Sequence, residues 1–546
     1  MLLSPQEDVV VHDVDKASIN HAEHQIPEKP INVEYRNEGL TSLFKSPYVL
    51  GAAALAACGG FSFGYDQGVI SVILTMPQFW KQYPETAPGY PSREFNVGFM
   101  TGVLELGAFI GCLILPYLAD RYSRKWALTM ATGIFVVGAI IQTASQNFIA
   151  LVFGRAIGGA GVGALALGAP LYISEISPPK LRGSLLVLEF IAIVVGAITS
   201  YWITYGTKDI SSVASFRIPF GLQVLPALAV GLGIHFFPYS PRWLAMRKRN
   251  EEGLSALAKL RGLSTTDARV REEWISIVVE ARFQETIATR EHPNAGPLNA
   301  ELLQWVDLFR PKYLKRTIVG LAVPFFQQFS GINAFVYYAP TFFSALGQDN
   351  NRSLILAGII NVAQFTAGVP TLIFLDNFGR RTIAITGGFA MAVPHIITAG
   401  LVGKFGDSWE DHTAVGWFAV ALIYIYVLCF AASIGPLTYI IPAEVFPTSK
   451  RAKGVGASTA MLWVANFIIG VVVPILIERI GFGTYIFFAA FCVLFSLFAF
   501  FCIPETGGKT LEDISLMFGD NSAEEELALQ RDIEMEVRGN QELSIP

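Results

Sequence analysis

Four charged side chains stand inside apolar stretches of this chain: Asp66, Glu105, Arg155 and Glu189. A charge at the centre of a bilayer costs about 3 kcal/mol or more and is kept where it works. An acid in such a place can take up and release a proton, and a carboxylate can also accept two hydroxyl donors strongly. A second set of residues is neutral. Gln327, Gln328 and Asn333 lie close together, and carboxamides both donate and accept, which is what a ring of hydroxyls requires alongside an aromatic surface for its apolar face. On one helix Gln327, Ser330 and Gly331 share a face that Gln328 does not fully join, and Gly331 lets the helix bend or open. No nucleophile, base and acid set, phosphate loop or metal cluster is present, so the pattern excludes an enzyme and calls for no cofactor or metal.

These residues need membrane spans to hold them. Of the 546 residues 52% are hydrophobic and 15% charged, against roughly 25% charged in a soluble protein. Val455 to Ile477 and Gly481 to Ile503 each run 23 residues without Asp, Glu, Lys or Arg, and a bilayer core needs about 20. The net charge of -5 (39 basic against 44 acidic residues) is of the wrong sign for nucleic acid. Apolar runs mark twelve spans, beginning near Tyr48, Asn96, Trp126, Ile149, Ser184, Ile218, Arg316, Leu354, Thr382, Ala414, Val455 and Gly481. Charge-rich, helix-compatible sequence from Pro238 to Lys315 separates six spans from six. The expected organisation is an amino-terminal tail 1–46, disordered and without a signal-peptide core, a bundle 47–237, a helical linker 238–315, a bundle 316–503 and a tail 504–546. Lys and Arg concentrate in the loops after even-numbered spans and in the linker, which puts the linker and both termini in the cytoplasm. The acidic tail with Glu524 to Glu526 reads as a solvated end. The five cysteines all lie in apolar segments and read as buried thiols.

A long-range repeat relates the halves. Asp120, Arg121 and Arg124 after span 2 recur as Asp376, Arg380 and Arg381 after span 8, and Glu175 with Arg182 after span 4 recur as Glu444 with Arg451 after span 10. Acid and base at adjacent helix ends can clasp one half in one state and part in another, so these ten residues are candidate gating latches; the plainer reading is that the arginines only set topology. Two related six-span halves imply a site near the bilayer midplane between them, opened alternately to each side.

Read together, the motifs resemble the sugar porters of the major facilitator superfamily, and among these the fungal monosaccharide transporters. The resemblance covers about Gly59 to Glu512. It rests on Gly59 to Asp66 (GGFSFGYD), Gly154-Arg155 followed by Gly158 to Gly161, Pro238 to Trp243 (PYSPRW), Gln327 to Asn333 (QQFSGIN) and Pro504 to Lys509 (PETGGK). Each alone is weak, but their order is highly specific. Three positions depart from the family: Tyr239 replaces a usual Glu, Ser123 replaces a Gly, and Phe190 stands where many relatives have a sugar-touching Gln.

The resemblance implies an all-α membrane fold of twelve helices in two pseudo-symmetric bundles. It implies sugar contacts at Gln327, Gln328, Asn333, Asn361 and Asn466, with aromatic walls at Trp463 and Tyr439. It also implies proton coupling at Asp66 paired with Arg155. Glu189 suits either a sugar contact or a bond within the bundle, and Glu105 reads as a helix-packing partner with no assigned role. The expected activity is proton-coupled import of a monosaccharide, a hexose such as glucose and pentoses besides, at the plasma membrane by a monomeric unit. A uniporter and a transporter-like sugar sensor are the alternatives.

Overall fold

A computed structural model of the chain describes residues 47–178, 182–374 and 378–542. The expected disordered tail and Asp376 lie outside them. Every regular element among the described residues is helical. Eleven stretches of these residues are long and apolar enough to cross a membrane, and a 27-residue helix, Pro47–Ile73, occupies the place of the first expected span.

Spans 2 to 5 are Arg93–Arg121, Arg124–Ala144, Phe148–Ile176 and Arg182–Thr207, and span 6 is the pair Ala214–Leu222 and Val224–Gly233. Span 7 is Pro311–Phe329 followed by Ile332–Ser344; span 8 is Asn350–Phe374; span 9 is Arg380–Phe405. Span 10 is Thr413–Ala431 followed by Ile434–Val445, and spans 11 and 12 are Arg451–Ile480 and Gly483–Cys502. Most start up to five residues before the expected position, because polar residues extend the helices beyond the apolar run. Asn147 starts span 4 by accepting from the Ala150 N–H at 2.8 Å, which satisfies one of the free donors of a helix start.

Within the first half, span 1 packs along span 5, and span 4 lies between spans 2 and 3. Within the second, span 9 packs on spans 10 and 12, and span 7 packs on spans 8 and 11. The halves meet where span 2 runs along span 11 and span 5 along span 8. The first seam is close: a Cβ on Gly98 would sit 2.5 Å from the Val471 carbonyl oxygen. Only a residue without a side chain allows that approach.

Spans 7 and 10 leave the helical path, span 10 at Ser433 (φ -134°, ψ -95°), whereas the gap in span 6 keeps helical angles at Gln223. In span 7 Gly331 adopts φ +103°, a region that favours glycine. The break releases the Ser330 carbonyl, which accepts from the Tyr426 hydroxyl at 2.9 Å and lies 3.2 Å from His395 Nε2. A backbone group freed inside a membrane must find such partners. His395 thus supports the bent segment.

The acidic tail is not the solvated end expected. Ser522–Glu542 forms a helix, and its Ile533 and Val537 bury against Ile275, Val279 and Phe283 of the linker helix Ala268–Glu291. Leu529, Ile533 and Val537 recur every fourth residue, an apolar stripe hidden between charges. Glu526 is buried and accepts from Ser449 Oγ at 2.5 Å, while Arg538 pairs with Glu272 at 2.9 Å. The linker grips both halves. Arg261 donates to the Ile176 carbonyl at the end of span 4 (2.9 Å) and pairs with Glu273, and Lys450, before span 11, meets Glu291 and Asp307. Burial pushes the Asp307 carboxyl up, but hydrogen bonds from Lys450 and His292 outweigh it and hold the group below its ordinary range.

Candidate functional site

Span 1 carries Phe63 and Asp66 one turn apart, Phe63 toward the second half and Asp66 toward span 4 of its own half. Phe63 meets Trp463 of span 11 edge-on at 5.0 Å between ring centres. Asp66 is fully buried with Oδ1 4.0 Å from Arg155 Nη1, the outer limit of an ion pair. Span 2 holds the arginine more tightly: Nε donates to the Met100 carbonyl at 2.7 Å and Nη2 to that of Thr101 at 3.3 Å. Among the described residues neither Asp66 oxygen, nor Arg155 Nη1, has a hydrogen bond. Backbone carbonyls therefore anchor the guanidinium, and the acid can change its charge without unseating it.

One turn beyond Thr101, Glu105 accepts from the Tyr337 hydroxyl of span 7 at 2.5 Å. Tyr337 in turn accepts from Asn466 Nδ2 of span 11 at 3.1 Å. This bond joins the halves in the buried interior, and sequence reasoning missed it. The signal was there, since Glu105 is an intramembrane charge, but nothing in the spacing pairs it with a tyrosine 232 residues away.

The amides flank the break in span 7. Gln328 Nε2 donates to Gln327 Oε1 at 3.1 Å, and Asn333 Nδ2 donates to Gln328 Oε1 at 2.7 Å. The bend thus brings Asn333, from the helix after the break, onto Gln328 of the helix before it. Gln327 and Asn333 each keep 7% of their surface accessible, and Gln327 Nε2 and Asn333 Oδ1 carry no protein partner among the described residues. Trp463 and Asn466, one turn apart on span 11, are both buried. Asn361 is buried midway along span 8, with no hydrogen bond joining it to the other amides among the described residues. Tyr439 of span 10 is 50% exposed yet lies within electrostatic range of the Glu189 carboxyl of span 5. Glu189 is buried and packs its Cγ against Gly60 of span 1. These two face each other across the halves rather than joining the amide cluster.

On the linker side the latch residues assort differently from their sequence pairing. Arg124 binds Glu175 in a fork, Nε to Oε2 at 2.9 Å and Nη2 to Oε1 at 3.0 Å, and reaches Asp120 at 2.7 Å. Ser240, from the segment after span 6, donates to Glu175 Oε2 at 2.5 Å. In the second half Arg380 meets Glu444 at 3.3 Å. Glu444 therefore pairs with the arginine after span 8, and Arg451 instead lies in range of Glu280 and Glu526. Arg121 is exposed and offers its carbonyl to Arg247, while Arg381 stacks on Phe500 and donates to its carbonyl. The side chain of Arg182 lies outside the described residues. At Tyr239 the ring receives the Lys125 ammonium 4.9 Å from its centre, a cation–π contact.

Residues 52–518 match the Sugar (and other) transporter family. A high-affinity glucose transporter of Kluyveromyces lactis is 33% identical over 489 residues, 87% of this chain and 85% of that one. An H(+)/hexose cotransporter of Parachlorella kessleri is 29% identical, covering 86% of each chain. Among solved structures the proton:xylose symporter XylE of E. coli, bound to 6-bromo-6-deoxy-D-glucose, superposes with a TM-score of 0.68 at 25% identity over 86% of this chain and 99% of that one. The two broken-span bundles have the major facilitator architecture, and this multi-pass membrane chain belongs to the sugar transporter family, a family of transporters rather than enzymes.

Proposed function

We propose that this protein imports a monosaccharide, most simply a hexose such as glucose, together with a proton across the plasma membrane by alternating access. Residues 47–237 and 316–503 act as the two moving halves, and 238–315 with the termini lie in the cytoplasm. Asp66 carries the reading: it is a buried acid set loosely beside an arginine that other groups already anchor. Protonation cancels its charge, loosens the pair and lets span 1 move, whereas a fixed structural pair would be fork-bonded. Gln327, Gln328, Asn333, Asn361 and Asn466 supply hydroxyl partners and Trp463 an apolar wall, while Tyr439 and Glu189, opposite each other across the halves, add a second wall and a further acceptor away from the amides. The Arg124–Glu175 and Arg380–Glu444 pairs latch the linker side.

The test is expression in a yeast strain lacking hexose transport, measuring labelled glucose, galactose and xylose uptake with and without a protonophore. Accumulation against a gradient should disappear with the protonophore and in Asp66→Asn. If Asp66→Asn still concentrates sugar, coupling through this residue is wrong, and facilitated uptake in wild type that ignores the protonophore points to a uniporter.

A further inference from the structure

Glu105 is a buried carboxyl that the reading above leaves unused. Its surroundings are specific. From span 1 it faces Asp66, from span 4 Arg155, from span 7 Tyr337 and from span 11 Asn466. Its second oxygen, Oε2, is sealed from solvent and has no hydrogen bond among the described residues. The cluster thus holds two carboxyls and one guanidinium. With both acids ionised it carries one net negative charge in a medium that penalises charge heavily, and a single added proton makes it neutral. At 2.5 Å the Tyr337–Glu105 contact has the length of a hydroxyl donating to an ionised carboxylate. This arrangement fits Glu105 as the anion and Asp66 as the acid that holds the proton.

We propose that Glu105 is a second proton-accepting carboxyl of the transport site, sharing one proton with Asp66 about Arg155. Through Tyr337 it reports the proton's position to Asn466 among the sugar-facing amides. The inference rests on the proton-coupled reading above. When the proton sits on Asp66, anionic Glu105 holds the Tyr337 hydroxyl, whose oxygen then accepts from Asn466. When the proton passes to Glu105, one O–H bond forms there as the one on Asp66 breaks. The charge-assisted bond to Tyr337 is lost, Asn466 is released, and Asp66 is again an anion beside Arg155. The bond crosses between the first and second halves, so its making and breaking act on the contact that alternating access must open.

The test follows the external pH at which accumulative uptake in intact yeast is half-maximal, with surface abundance measured in parallel. Removing the Glu105 charge in Glu105→Gln leaves Asp66 and Arg155 already neutral together, so more protons are needed. The midpoint should move toward acid by at least about one pH unit, a roughly tenfold higher proton concentration. Tyr337→Phe removes the donor that favours the Glu105 anion, so its midpoint should move toward alkali. The double variant should behave as Glu105→Gln, because Tyr337 acts through Glu105. A merely structural Glu105 would lower the maximal rate or the abundance and leave the midpoint where it was. An unmoved midpoint, or shifts of the same sign in the two single variants, overturns the proposal. If Glu105→Gln does not reach the surface, Tyr337→Phe still carries the test by its sign. If wild-type uptake shows no proton dependence, the symport reading itself has failed, whereas dependence in wild type with unmoved variants sinks the Glu105 proposal alone.

Discussion

Thr506 donates its hydroxyl to Glu444 at 2.6 Å, just after the last span of its half, as Ser240 donates to Glu175 after the last span of the other. The repeat therefore extends beyond acid and base to a third member, a hydroxyl that follows span 6 in one half and span 12 in the other. The hydroxyl orients the carboxylate for its arginine.

Losing either hydroxyl leaves a carboxylate lone pair unmet, in a buried place at Glu175 and a partly buried one at Glu444. Ser240→Ala and Thr506→Val should each lower stability by about 1.5–3 kcal/mol, the range for hydrogen bonds to charged groups. Thermal unfolding of the purified protein in detergent checks this, and no change in either variant would mean that water replaces the hydroxyl.

Ser123 adopts φ +148°, a strained region for a residue with a side chain. Relief of strain in Ser123→Gly is worth about 1–3 kcal/mol, while loss of its cap on the Trp126 N–H costs only a few tenths when the replacement is glycine. The variant should be more stable by about 1 kcal/mol, read as a higher melting temperature with uptake retained.

Gln328 stands between Gln327 and Asn333 and fixes both. Gln328→Ala should raise the KM for sugar more than it lowers the maximal rate, by about tenfold for a loss near 1.4 kcal/mol, in initial-rate uptake of labelled glucose. A fall in rate alone, with KM unmoved, would place the amides outside the binding site.

The Asp307 clasp predicts an acid sensitivity of known sign. Its carboxyl titrates lower in the folded protein than in the unfolded chain. The clasp therefore contributes fully above the ordinary carboxyl value, about 4, and its contribution falls away as pH drops toward the folded value. Melting temperatures followed from neutral to acid pH should fall in wild type, and Asp307→Asn should start lower and fall less.

Much of the architecture was legible from the chain because bilayer spans leave a strong mark: long uncharged runs, basic loops and a repeated loop motif. Gly331 also pointed to the break in span 7. What escaped depended on partners far apart in sequence. Glu444 lies between Arg380 and Arg451 in the pattern, and only the packing of spans 9 and 10 selects Arg380. The stripe Leu529, Ile533 and Val537 was masked by surrounding acids whose outer face is solvated while the inner face docks. Glu105 and Tyr337 meet only because the fold brings side chains of spans 2 and 7, one from each half, together in the interior, and no local period encodes a meeting between halves.

Because Gln328 precedes the break in span 7 and Asn333 follows it, the 2.7 Å bond between them is a stitch across a swivel. A solute that competes for these amides would replace that stitch with itself. Cargo would then be what splints the two rods into one, so that an empty carrier and a filled one differ in stiffness at the very place where the path must shut.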